Sequence, residues 1–151
     1  MESQLNARIV TYITFHQNYY MNTRGTYMKE LSKKNPYKIS KNRQWELIFF
    51  CLQYSEWEEA IKEINYHLKG EDPTGDTAVR LAVLEKKKKM VRTCCALAGD
   101  INDILFTGVT ERINYETLEA RYGTLPWARS AYYRLYRRFM YILSSQDFLT
   151  L

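Results

Sequence analysis

Cys51, Cys94 and Cys95 are the only thiols in the 151 residues, and His16 and His67 the only imidazoles. Adjacent cysteines invite a redox or metal reading. Neighbours on a helix, however, point about 100° apart. No CxxC spacing occurs, and only the two histidines could complete a zinc site. Cys94 and Cys95 therefore read as core side chains. His16 and His67 stand among Tyr and Asn, with no Asp, Ser or Cys at the spacing of a proton relay. Asp100 and Asp103 are three apart and share a side of a helix. That is the arrangement of a carboxylate pair for a cation or for acid–base work, and equally of two acids at a solvated helix edge. The stretch GEDPTGD (70–76) has oxygen ligands but lacks the twelve-residue alternation and terminal Glu of a calcium loop. These patterns assemble no catalytic residue, metal site or cofactor, and the expectation is a protein that is not an enzyme.

The cations offer more. KKKKMVR (86–92) resembles a short nuclear localisation signal or a phosphate-binding strip. Lys86, Lys87, Lys88, Lys89 and Arg92, with Arg134 and Arg138 of the last helix, are the set that a nucleic-acid-binding protein would use. A solvated helix face is the plainer reading of the lysine run. In the last helix, Arg129, Tyr133, Tyr136, Arg137 and Met140 fall on one flank. Tyr and Arg together are enriched where proteins dock on one another. This flank is the first choice for a partner-binding surface. Nucleic acid, tracked by Arg and stacked on Tyr, is the alternative.

Composition sets the frame for these residues. A length of 151 fits one domain with one core. With 6 Gly and 3 Pro the chain is too poor in turn residues for a β-sandwich, and 13 Tyr suit half-buried helix flanks. The formal charge of +5 permits acidic partners or nucleic acid without requiring either. Three cysteines, two of them adjacent, make a poor disulfide framework and suggest a reducing compartment. MESQLNARIV lacks the pattern of a signal peptide. The longest apolar run, 47–52, is too short to span a bilayer. A cytoplasmic location is expected, with the nucleus open through the lysine run.

The elements that must position these side chains read as helices. The first covers 4–20, with Leu5, Ile9 and Ile13 on one face. A short second one covers 26–34 and ends before Pro36. Ser40 caps a third over 41–54, whose centre WELIFFCLQY is apolar on nearly every side. Ser55 and Glu58 match a capping box for a fourth. It carries Trp57, Ile61, Ile64 and Leu68 inward and ends at Gly70. Asp76 or Thr77 caps the next helix, whose part up to about Lys89 should stand in solvent. From Met90 to Phe106 a central helix is expected, with Met90, Cys94, Leu97, Ile101 and Ile104 as its stripe and Gly108 closing it. Small neighbours (Cys95, Ala96, Ala98, Gly99) would let other helices approach on several sides. Thr110 or Asn114 caps a short helix with Ile113, Leu118 and Tyr122, ended by Gly123. Pro126 opens the last, with Ala128, Ala131, Leu135, Phe139, Ile142 and Leu143 inward. The tail after it is expected to add one docking turn. The fold expected is all-α: a compact bundle of about seven helices around a buried central helix, in a single domain over 1–151.

This order of elements resembles the poxvirus Bcl-2-like proteins. The stretches that carry the likeness are IVTYITFHQNYY (9–20), TYMKEL (26–31), WELIFFCLQYSEWEEAIKEINYHL (45–68) and VRTCCALAGDI (91–101). They match a pattern of helix lengths and apolar positions over most of the chain, not a residue signature. The Asn-Trp-Gly-Arg-like element of the cellular branch is absent, and so is a C-terminal membrane anchor. The resemblance implies a viral modulator of host innate-immune or apoptotic signalling, from the branch that binds signalling proteins. It would act in the host cytoplasm on a host signalling protein, and it implies a homodimer formed through helix faces.

Overall fold

The computed structural model describes residues 36–146, and every regular element among them is an α-helix. They are α1 (Lys41–Leu52), α2 (Tyr54–Leu68), α3 (Gly75–Ala98), α4 (Ile104–Thr110), α5 (Tyr115–Tyr122) and α6 (Arg129–Ser144). The all-α expectation holds for this region. The helices expected over 4–20 and 26–34, His16 and the last residues of the tail lie outside the described residues.

Ser40 caps α1 as its type predicts, its hydroxyl accepting from the Arg43 amide at 3.2 Å. Leu47, Ile48 and Cys51 are buried, and Trp45, Phe49, Phe50 and Leu52 are half-buried around them. Gln53 alone separates α1 from α2. The capping box expected at Ser55 does not form. The helix starts two residues earlier, at Tyr54 with Gln53 in the cap position, and Ser55 falls inside its first turn. Aromatic packing overrides the local signal: Tyr54 and Trp57 are both buried, and the Trp57 ring lies 4.8 Å from that of Phe50. At the other end Lys69 takes the left-handed turn (φ 50°), with Gly70 following at φ 90°.

α3 runs unbroken for 24 residues, so the segment before Lys86 is continuous with the segment after it. Asp76 and Thr77 sit in its first turn instead of capping it; the cap position belongs to Thr74. Burial is concentrated at Val91, Cys94, Cys95 and Ala98, and the N-terminal half stands largely in solvent, as expected. The central helix does not reach Phe106. It stops at Ala98, where Gly99 turns left-handed (φ 104°) and donates to Ala96 O while the Asp100 amide donates to Cys95 O. The expected stripe is therefore wrong at two positions: Leu97 is 56% exposed and Ile101 44% exposed. α3 nonetheless touches α2, α4 and α6, most extensively α6. Cys94, Cys95 and Ala98 are small enough to admit all three.

Gly108 does not end a helix either. It is buried within α4. A Cβ on Gly108 would overlap the hydroxyl of Tyr132 from α6, so the glycine sets how closely these two helices approach. Tyr132 itself is 1% exposed and, with Phe139, Met140 and Leu143, makes the inner face of α6. Ala131, Leu135 and Ile142 are only half-buried and Ala128 is exposed, so the expected face is rotated. α6 begins at Arg129 and not at Pro126, because the Tyr115 hydroxyl donates to Trp127 O at 2.9 Å and holds that carbonyl outside the helix. Asn114 caps α5, accepting from Thr117 N at 2.8 Å, and Gly123 ends it, both as expected. The Thr110 hydroxyl instead donates to Phe106 O at the end of α4.

Helix propensity alone makes Gly108→Ala stabilising by about 1 kcal/mol. The overlap with Tyr132 reverses that sign, and a loss of about 1–3 kcal/mol is expected. A lower thermal midpoint for Gly108→Ala, restored in the double variant Gly108→Ala, Tyr132→Phe, checks it. An unchanged or raised midpoint in the single variant would rule the close approach out as a constraint.

Candidate interaction surfaces

The three thiols are core groups. Cys51, Cys94 and Cys95 are each 2% exposed or less. Burial pushes all three up, Cys94 to about 11 and the other two further. Among the described residues no three His, Cys, Asp or Glu side chains are grouped to hold a metal ion. His67 is exposed at the end of α2, with its ring against Tyr66 at 5.6 Å.

Asp100 and Asp103 do not act as a pair. Asp100 reaches forward over the turn, accepting from Leu105 N at 2.8 Å and Phe106 N at 2.9 Å. Those are amides of the first turn of α4, which would otherwise lack partners. Burial raises the Asp100 carboxyl above the usual range against the opposing pull of these amides. Asp103 is exposed and lies 3.6 Å from Arg92. A shallow notch of about 190 Å³ sits at this junction, between Arg92, Asp103 and Phe106.

The lysine run divides by direction. Lys87 lies over the Trp57 ring at 5.6 Å, and Lys88 over the Tyr54 ring at 5.7 Å and 3.5 Å from Glu58. Arg92 donates to the Tyr54 hydroxyl at 3.0 Å and lies 4.1 Å over Phe106. These three cations fold onto aromatic rings of α2 and α4. Lys86 and Lys89 point elsewhere and are exposed. A single phosphate strip over Lys86, Lys87, Lys88, Lys89 and Arg92 is thus not presented as one surface.

The flank proposed for α6 is also broken up. Met140 is 2% exposed and belongs to the core. Arg129 is held 2.9 Å from Glu116 and over the Tyr133 ring at 5.9 Å. Tyr133 is half-buried, its hydroxyl accepting from Tyr115 N at 3.5 Å. Tyr136 and Arg137 are half-buried. Much of this flank faces α5. Arg134 and Arg138 are exposed on the outer side.

One surface was missed in the sequence. Val79, Val83, Met90 and Leu97 follow at steps of four, seven and seven, which places them within about 40° of one another around α3 over about 27 Å. Val79 is 64% and Leu97 56% exposed; Val83 and Met90 are half-buried. Ile101, in the turn after α3, is 44% exposed. Lys86 lies in the middle of the row and Lys89 at its edge. The apolar period puts Met90 and Leu97 on one stripe that is expected to be buried, and the lysines break the helix pattern, so the row is not legible as an exposed surface reaching back to Val79.

Iodoacetamide at neutral pH should leave all three thiols of the folded chain unmodified and react with all three after denaturation; alkylation of the native state would contradict their burial. Asp100→Ala should lower stability by about 1–2 kcal/mol through the lost cap. Because the folded carboxyl is raised, the wild type should lose stability relative to Asp100→Asn as pH rises through that value, and regain it below the ordinary carboxylate range. Paired thermal melts across pH 3–7 would test that sign.

Comparison with protein-family models, with curated proteins and with solved structures finds no match for this chain.

Proposed function

We propose that the chain is a non-enzymatic protein–protein interaction module, and that the aliphatic row on α3 is where its partner docks. The observation that carries this reading is the exposure of Val79 and Leu97 on one side of α3, with Val83 and Met90 half-buried between them. Solvent-exposed aliphatic side chains in a row mark contact surfaces. Lys86 and Lys89 beside them favour a partner face that combines apolar residues with carboxylates.

The resemblance to poxvirus Bcl-2-like proteins supplies the biological reading: a viral modulator of host innate-immune or apoptotic signalling, acting in the cytoplasm on a signalling protein. Two features support it. α1 and α2 form a consecutive pair, and the small residues of α3 lie against three other helices. No helix among the described residues is long and apolar enough to cross a membrane. A bundle of about seven helices and homodimerisation belong to the same proposal.

Val79→Glu with Leu97→Glu should remove partner capture from host-cell lysate by tenfold or more, since each buried aliphatic side chain is worth about 1.5–3 kcal/mol at an interface. Both residues are exposed, so the helical circular dichroism and thermal midpoint should stay close to wild type. Capture must survive nuclease and high salt to count. Undiminished capture by the folded double variant would remove the α3 row as the docking surface.

A further inference from the structure

We infer a second, chemically different site: a cationic band on α6 and the segment before α1 that takes single-stranded nucleic acid. Two contacts across about a hundred residues of sequence build it. The rings of Tyr37 and Tyr141 meet at 5.7 Å, and the Arg43 guanidinium donates to Ser144 O at 3.2 Å. They lay residues 37–43 along the C-terminal half of α6. Lys38 and Lys41 are thereby brought to the end of α6 that follows Arg134, Arg137 and Arg138.

The charge of this band is not the chain's general basicity. No acid occurs in 36–45 or in 120–146. Of the other cations there, Arg43 is neutralised by Glu46, Arg121 by Glu111 and Arg129 by Glu116, each within 3 Å. Lys38, Lys41, Arg134, Arg137 and Arg138 make no ion pair among the described residues. Residues 36–146 hold 17 Lys and Arg against 14 Asp and Glu, so with these five set aside the rest carries a net charge of −2. The positive charge is focused.

The side-chain chemistry selects the ligand. The outward face of α6 presents Ser130, Arg134, Arg138 and Tyr141, with Arg137 half-buried at its edge, without one aliphatic residue. A protein partner would find no apolar centre to bury there. A phosphate backbone needs none: guanidinium groups bind phosphate bidentately. Tyr141, 45% exposed at the end of the arginine row, offers a ring face on which an unpaired base can stack. Paired bases cannot use it, which favours a single strand over a duplex.

The test is fluorescence anisotropy of the full chain with a labelled 15-nucleotide oligouridylate. Five phosphate contacts predict a slope of log K against log salt near about −3.5, roughly a hundredfold loss between 50 and 200 mM. Arg134→Gln with Arg138→Gln should flatten that slope by about 1.4. Tyr141→Ala removes both the stacking ring and the contact that holds Tyr37, so it should weaken binding by more than tenfold and flatten the slope by up to about 1.4 as Lys38 and Lys41 are released. Lys86→Gln with Lys89→Gln should change nothing, and the α3 variants used for protein capture should bind the oligonucleotide normally, so the two sites fail separately. No binding at 50 mM salt, an unaltered affinity in the double arginine variant, or equal binding of duplex or polyglutamate with Tyr141→Ala silent would each overturn the assignment.

Discussion

The turn from Gly99 to Asp103 governs the rest of the described structure. Three of its residues are left-handed: Gly99, and then Asn102 and Asp103 at φ 54° and 57°. For the two non-glycines that conformation costs about 1–2 kcal/mol each. The Asp100 side chain offsets the cost by accepting two amides of α4 at once, at 2.8 and 2.9 Å. α4 has seven residues and could not persist alone. Held by Asp100, it turns inward and buries Ile104, Leu105 and Val109, bringing Gly108 under Tyr132. Because α3 must stop for this turn, Ile101 is left outside, 44% exposed just past the end of the aliphatic row on α3.

Lysine and arginine meet different fates here, and the difference lies in what stands across from them. Lys87, Lys88 and Arg92 face Trp57, Tyr54 and Phe106, so their stems cover rings, and the charges of Lys88 and Arg92 also find a carboxylate or a hydroxyl. Burial and these contacts leave the Arg92 guanidinium raised on balance, its loss of water outweighed by Tyr54, Asp103 and Glu58. Among the described residues, Arg134 and Arg138 face nothing of the kind. Density of charge in sequence therefore points to the wrong segment: KKKKMVR is dense but folded onto α2, while the sparser arginines of α6 become a band once Tyr37 meets Tyr141.

Helix content was legible because the apolar spacing of α1, α2 and α6 is strong and Ser40, Asn114 and Gly123 are local signals that act as expected. What was not legible depends on distant packing. The capping box at Ser55 yields to the burial of Tyr54 and Trp57, an energy much larger than the roughly 1 kcal/mol of a cap. The run 90–106 reads as one helix because its apolar residues keep a helical period through Gly99, and only the left-handed turn there breaks it. Gly108 reads as a terminator, since nothing in its neighbours announces a tyrosine from α6. Met140 reads as a flank residue because its neighbours Arg137 and Tyr141 are polar, yet Tyr132 rotates the inner face of α6 toward it. Of the candidate surfaces, the individual arginines of α6 were visible; their union with Lys38 and Lys41 was not.

The two proposed surfaces follow from one physical distinction. Aliphatic side chains gain free energy by leaving water whatever their partner's sequence, provided its shape fits. Arginines gain little by contact unless a fixed anion releases its counterions. The α3 row has the first property, interrupted by Lys86; the α6 band has the second, without an aliphatic residue on its outer face. A single ligand satisfying both would have to be apolar and polyanionic in different parts. Separate ligands need no such combination, and salt distinguishes them: docking at Val79 and Leu97 should persist as ionic strength rises, while anything held by Arg134 and Arg138 should be released.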